Sequence, residues 1–386
     1  MGSRGSGRGV ALVNLGNIDT AGRLADNTYP DIRCRRDLAR GQIDRWRPTH
    51  ITVAPWRHRH AVGRRKLART LRRLGGFHRL LTIPLLLAQF RRSENGRWVL
   101  YGFLASAVVL LLASWALVPG LMSWQTNHIF GVVVHDVIAQ STIFLICSFA
   151  LIWFMRDLVL ERNWRLAKCS AALAASFLAN IVFVATSRAD IVVLPILIIL
   201  LGWRWAGWRG AILACVAAGA VAAGTWVGSP YLRERIQRAI DDVEIYRTTH
   251  VHNDVGDHIE FLKKSIAFVG EAPVIGHGTG SIPELFRRST VGQTGATAVV
   301  SVNPHNQILA VAIQIGALGA ALLLAMWVAH LVLFYRTGLT AWIGTVVVVE
   351  NVVSSLTSSH LFDFVHGWLY VLGVGILGGM IQRDRP

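Results

Sequence analysis

The sequence predicts an all-α fold, a polytopic bundle of transmembrane helices with a helical loop outside the membrane. Three observations carry this. The 386 residues are 53% hydrophobic, with mean hydropathy +0.45, above a typical soluble domain. From residue 98 onward, apolar runs alternate with short polar links, as bilayer-crossing helices require. Lys and Arg concentrate on every second link, the bias that orients membrane proteins.

Residues 1–97 form a separate basic segment. They hold 21 Lys and Arg against 6 Asp and Glu, a net of +15 out of the total +17. Because the excess sits in this quarter, the charge does not make the whole chain a nucleic-acid binder. Residues 1–78 show no sustained helical or strand period and are rich in Arg, Gly, Pro and His, as in Trp56-Arg57-His58-Arg59-His60. Such composition reads as a disordered tail or as a cytoplasmic basic arm against anionic lipid or nucleic acid. Twenty Arg against one Lys also suits a mis-started or out-of-frame stretch. There is no early apolar core with a small-residue cleavage site, so no secretory signal is expected. The run 80–90 is too short to span; it reads as an interfacial segment or the end of a longer helix.

The membrane domain, 98–381, contains eight expected spans: 98–118, 137–155, 167–186, 190–203, 210–227, 305–334, 339–356 and 364–381. Arg91, Arg92 and Arg97 precede the first. Arg156, Arg162, Arg165 and Lys168 follow the second, Arg204 and Arg209 the fourth, Arg336 the sixth, and Arg383 and Arg385 the eighth. These links are expected in the cytoplasm, with both termini of the domain. The links 119–136 and 357–363 carry no Lys or Arg, and 187–189 carries only Arg188. The loop 228–304 is long enough to cross regardless of its charge and is expected on the outer side. Within it, Tyr231 to Tyr246 reads as a charged amphipathic helix. Asp257 caps a second helix with Ile259, Leu262, Ile266 and Val269 on one face, and Pro273 ends it. Ile282 to Arg288 forms a third, and Thr290 to Val300 reads as flexible.

The candidate chemistry gathers where this loop enters the sixth span. In Asn303-Pro304-His305-Asn306, Asn303 is a fitting N-cap and Pro304 suits the first helical position. His305 and Asn306 then occupy a first turn whose free N–H groups and dipole favour an anion. A neutral His305 could take a proton from an attacking hydroxyl, or donate a hydrogen bond to a phosphate oxygen. Arg188, in Thr186-Ser187-Arg188-Ala189-Asp190, reads as a bidentate phosphate clamp or as an interfacial Arg paired with Asp190. Gly276 to Ser281 lacks the Lys-Ser/Thr of a phosphate loop and reads as a turn. Gly316 and Gly319 read as sites of close helix packing. His360, Asp363 and His366, near the last outer link, could contribute polar contacts but have no metal-ligand spacing, and Glu350 stands within a span with no partner evident from sequence. The four Cys are scattered, without disulfide or zinc pattern.

In these residues the sequence resembles the O-antigen ligase/polymerase superfamily of bacterial membrane glycosyltransferases. The family pattern, His-[Asn/Ser/Gln], nine residues, then Gly-x-x-[Gly/Thr/Tyr], is met by His305-Asn306 and Gly316-Ala317-Leu318-Gly319. Ser187-Arg188 matches the family's Arg at an outer helix end, and Ala272-Pro273-x-x-Gly276-x-Gly278-x-Gly280 resembles its loop. The motifs together cover roughly 98–381. Where the family commonly has a second loop Arg, this chain has His258, after Gly256-Asp257. Family members usually have about a dozen spans.

The resemblance implies a GT-C-like, inverting membrane enzyme of the bacterial inner membrane with its active site at the periplasmic face. The donor would be a glycan on an undecaprenyl diphosphate carrier. The acceptor would be lipid A–core sugar for a ligase, or a second carrier-linked glycan for a polymerase. Arg188 and His258 would hold the diphosphate, His305 would orient or deprotonate the acceptor hydroxyl, and Asn306 would add a polar contact. No cofactor or metal is implied, Arg taking the cation's part, and the other partners are membrane lipids. Two alternatives stand beside this. A non-catalytic transporter predicts inverted repeats and helices broken near mid-membrane, and a defective remnant would explain His258 and the missing helices.

Overall fold

The computed structural model describes residues 77–118, 131–134, 136–185, 187–228 and 230–384, all within one unit. They are helical throughout their ordered elements. The membrane helices are α1 (Thr82–Arg92), α2 (Gly96–Leu117), α3 (Val137–Leu160), α4 (Trp164–Phe183) and α5 (Arg188–Gly228), with α9 (Gln307–Leu333), α10 (Leu339–Ser354) and α11 (Phe364–Arg383). Between α5 and α9 lie α6 (Pro230–Thr249), α7 (Asp254–Glu271) and α8 (Ile282–Ser289).

Six of these helices are long and apolar enough to cross a membrane. The eight expected spans are all present as helix. The fourth and fifth share α5, which turns back at Ala206 (φ −140°) and Gly207 (φ 61°). Gly202 and Gly210 let the two halves meet, since a Cβ on Gly210 would stand 2.0 Å from the Gly202 carbonyl oxygen. The seventh is α10, 16 residues long.

α3, α10 and α11 carry the centre of the bundle. Trp342, Tyr370, Phe144, Phe149 and Phe177 are fully buried there. Trp153 stacks on Trp342 at 5.3 Å, and the Trp342 indole N–H donates to the Phe149 carbonyl at 2.9 Å. A buried polar knot ties α2, α3 and α4: the amides of Gln140 and Asn180 donate to Ser114 Oγ at 3.1 and 2.9 Å. In lipid such a bond aligns helices that apolar contact alone leaves free to slide. Glu350 also has a partner, the hydroxyl of Thr142 donating to its carboxylate at 3.1 Å.

Residues 82–92 belong with the bundle. α1 lies along α11 on a track of glycines, Leu86 against Gly375, Leu87 against Gly378 and Phe90 against Gly379. At one end Arg79 donates to the Asp363 carbonyl and lies over the Phe364 ring. At the other, Arg383 donates to the Ser93 carbonyl at 2.9 Å. The two helices therefore run parallel, and Phe77, which packs on Phe362, stands at the end of the bundle that carries the loop. The remaining expectations for the basic segment, 1–76, lie outside the described residues.

The loop folds as a small helical cap. α7 begins at Asn253, whose side chain accepts from the Gly256 N–H at 2.7 Å. Asp257, the expected cap, is instead inside the helix and pairs with His252 at 2.8 Å. The buried face of α7 is also not the aliphatic one. Phe261 and Phe268 point inward and meet Phe286 of α8 edge to face, while Leu262 and Ile266 are exposed. Glu260 is carried inside because the Tyr246 hydroxyl donates to it and Lys263 donates to that hydroxyl. Aromatic rings in edge-to-face contact favour this side of the helix as the buried one. The stretch expected to be flexible contains a short 3-10 turn, Gly295–Ala298, with Ala296 fully buried.

Candidate functional site

The cap docks onto α9 where that helix is broken. Gly316 has φ +72° and ψ −165° inside the helix. The break leaves carbonyls of the preceding turn without helical donors, and the segment after α7 supplies them. His277 N–H donates to the Ile313 carbonyl at 2.8 Å and Gly278 N–H to the Gln314 carbonyl at 3.0 Å; in return the helix N–H of Ala317 donates to the loop carbonyl of Pro273 at 2.7 Å. Gln314 Oε1 accepts from the Gly280 N–H at 2.8 Å. The approach is too close for side chains: a Cβ on Gly316 would lie 2.1 Å from the Val274 carbonyl oxygen, and one on Gly276 2.5 Å from Gln314. Thus Gly276 to Ser281 is more than a turn, and Gly316 serves a loop contact, not helix packing. Gly319 faces its own helix, beside Ile315.

The first segment of α9 is thereby fixed against the cap, with His305 at its mouth. The helix starts later than the sequence suggests. Its N-cap is Asn306, in extended conformation (φ −156°), whose Oδ1 accepts from the Leu309 N–H at 3.0 Å. Asn303 caps a tight turn instead, its Oδ1 accepting from His305 N–H at 2.8 Å. Pro304 therefore precedes the helix, and His305 sits outside the first turn with φ +54°. A left-handed backbone is uncommon for a residue with a Cβ, and such strain is typical of functional positions. Asn306 Nδ2 donates to the Leu356 carbonyl at 3.2 Å, so both ends of its amide are engaged.

His305 meets two residues of α7. Its ring stacks on Phe261 at 5.5 Å with 13° between planes, and its centroid lies 4.4 Å from that of His258. Burial, and secondarily His258, push the His305 pKa down to about 4, because a charged imidazole loses hydration there and gains a like-charged neighbour. The ring is therefore neutral at neutral pH. His258 is exposed, and its Nδ1 donates to the Asp254 carbonyl at 2.7 Å, which leaves Nε2 as the free nitrogen. The four candidates resolve as follows. His305, His258 and Asn306 come together at one mouth. Arg188 opens α5, but its side chain lies outside the described ones.

Sequence reasoning missed one part of this end of the bundle and named another only as a source of polar contacts. One is Phe261, which orients His305; its place at the third residue after His258 was visible, its direction was not. The other is a buried set beside the mouth. His366 Nδ1 donates to Asp363 at 2.9 Å, and the His360 ring lies 4.2 Å from that of His366. Asp363 also caps α11. Among the described residues no three His, Cys, Asp or Glu gather as a metal site would. A cavity of about 480 Å³ lined by Arg336, Gly338 and Asp384 lies at the far end of α9 and takes no part.

Residues 172–324 match the family model Wzy_C, described as O-antigen ligase. The match runs from α4 through the break in α9 and includes Arg188, His258, His305, Gly316 and Gly319. A comparison with curated proteins finds no match.

Proposed function

The chain belongs to the O-antigen ligase/polymerase superfamily, and we propose that it transfers a glycan from an undecaprenyl diphosphate carrier to an acceptor sugar. The observation that carries this reading is the neutral His305, stacked on Phe261 and facing His258 at a helix mouth. The acceptor hydroxyl oxygen forms a bond to the anomeric carbon while the anomeric bond to the diphosphate breaks. His305 takes the hydroxyl proton, and undecaprenyl diphosphate leaves with added negative charge. A base whose pKa is about 4 when the site is empty is weak. A bound diphosphate beside it favours the imidazolium and raises its basicity when the proton must move. Arg188, and His258 when protonated, offset the charge developing on the leaving group.

The site faces the periplasm, by the distribution of Lys and Arg over the links, in a multi-pass protein of the inner membrane. The chain divides into a basic N-terminal segment and the membrane domain 98–381, which the helix Thr82–Arg92 joins. Ligation to lipid A–core is the first reading and polymerisation onto a second carrier-linked glycan the alternative. The break in α9 is a feature that transporters share. Here a loop backbone fills it, which favours a fixed site over a moving one. Lipopolysaccharide gels of cells carrying His305→Ala test the reading: surface glycan is lost while the protein stays in the membrane. Unchanged glycan would overturn it.

A further inference from the structure

We propose that His366, held by Asp363, is a positioning residue for His305, acting through the loop 355–363. The proposal rests on the reading of His305 above. Three hydrogen bonds tie that loop to the helix mouth. Gln307 N–H donates to the Ser355 carbonyl at 2.9 Å, Asn306 Nδ2 to the Leu356 carbonyl at 3.2 Å, and Leu361 N–H to Gln307 Oε1 at 2.9 Å. Asn306 and Gln307 directly follow His305, whose backbone is left-handed (φ +54°), so this seam fixes the chain on the helix side of the His305 ring.

The far end of the loop is set by histidine. The His366 ring is 3% exposed, on the first turn of α11, and packs on the His360 ring, 2% exposed, within the loop itself. Asp363 Oδ1 accepts from His366 Nδ1 and from the N–H groups of Val365 and His366 at 2.9 and 3.0 Å. One carboxylate thus fixes both the end of the loop and the ring on which His360 rests. Both nitrogens of His360 and Nε2 of His366 are buried without a hydrogen bond. Glu350 of α10 and Asp136 at the start of α3 act on His366 from neighbouring helices, and Asp190 of α5 does the same. Ionisable groups at membrane depth are costly and are kept where they do something. Of these groups, His360 and Asp363 lie within the loop and His366 packs against it.

The test uses the full-length chain in lipid nanodiscs with an undecaprenyl-diphosphate-linked oligosaccharide, with and without lipid A–core, and follows release of undecaprenyl diphosphate. His366→Leu removes the bond to Asp363. It is expected to lower turnover at least about tenfold with the donor KM changed less than about threefold, as misplacement of a catalytic group does. His366→Asn, whose amide nitrogen falls near the position of Nδ1, is expected to recover most of the rate. In a His305→Ala background, His366→Leu is expected to change the residual rate less than about twofold, because a positioning residue has nothing left to position. Full turnover in His366→Leu, or the same fractional loss in both backgrounds, would overturn the proposal. If His366→Leu does not accumulate, Asp363→Asn, which keeps the cap but weakens the bond, is read against the same expectations. Full release by His305→Ala, or no release by the wild type in either condition, would instead overturn the reading of His305 itself.

Discussion

His258 and His305 stand with ring centroids 4.4 Å apart, 47 positions distant in sequence and brought together because α7 lies across the mouth of α9. The pair explains why His305 is neutral: its own burial comes first and the neighbouring imidazole second. Removing His258 should therefore move the protonation of His305 upward. In the wild type, kcat/KM, which reports the enzyme before the diphosphate binds, should persist as pH falls and be lost only towards about 4. In His258→Ala the acid limb should appear at higher pH. A rate–pH profile of both proteins checks this; superimposable acid limbs would contradict the role given to His258.

The same depressed value bears on stability. The unfolded state binds the His305 proton more readily than the folded one, so folding is favoured above the ordinary histidine range. That contribution falls as pH drops from about 6.5 towards about 4. His305→Phe, which keeps the stacking on Phe261 without a titrating nitrogen, should lose less of its unfolding midpoint across that interval than the wild type. The comparison is made by thermal melts in detergent at a series of pH values.

The break in α9 makes a prediction about glycine. Gly316→Ala places a Cβ against the Val274 carbonyl and strains a positive φ. It should destabilise the docked loop by about 1–3 kcal/mol and expose residues 272–280 to protease. Gly270→Ala, which meets nothing within 4 Å, should leave both the melt and the cleavage pattern close to wild type. Equal sensitivity of the two variants would remove the special role of the break.

Asn306 is argued to be a cap before anything else. Asn306→Ala should cost about 1 kcal/mol of stability and reduce activity by loosening His305. Asn306→Asp keeps the acceptor for the Leu309 N–H and should recover most of the stability, read from the melting midpoint. A stable but equally inactive Asn306→Asp would point to direct contact with substrate.

Much of this fold was legible in the sequence because lipid leaves few options. Runs of about 20 apolar residues separated by polar links mark where the helices of a bundle begin and end. The site was legible in part: His305, His258 and Asn306 do converge. The exact start of α9 was not, because Asn303 and Asn306 are both good caps. The backbone decides between them, left-handed at His305 and extended at Asn306. The buried face of α7 was missed for a related reason. Periodicity favours the aliphatic stripe, but Phe286 on another helix draws Phe261 and Phe268 inward. The pairing of Gly276 with Gly316 depends on a contact between distant segments and leaves no local pattern.

The most direct test of the central claim is release of undecaprenyl diphosphate from an undecaprenyl-diphosphate-linked oligosaccharide by the purified chain and by His305→Ala. The account predicts acceptor-dependent release by the wild type and a loss of about 100-fold or more in the variant, the scale of a general base. Equal release by both proteins, at equal amounts in the membrane, would contradict it.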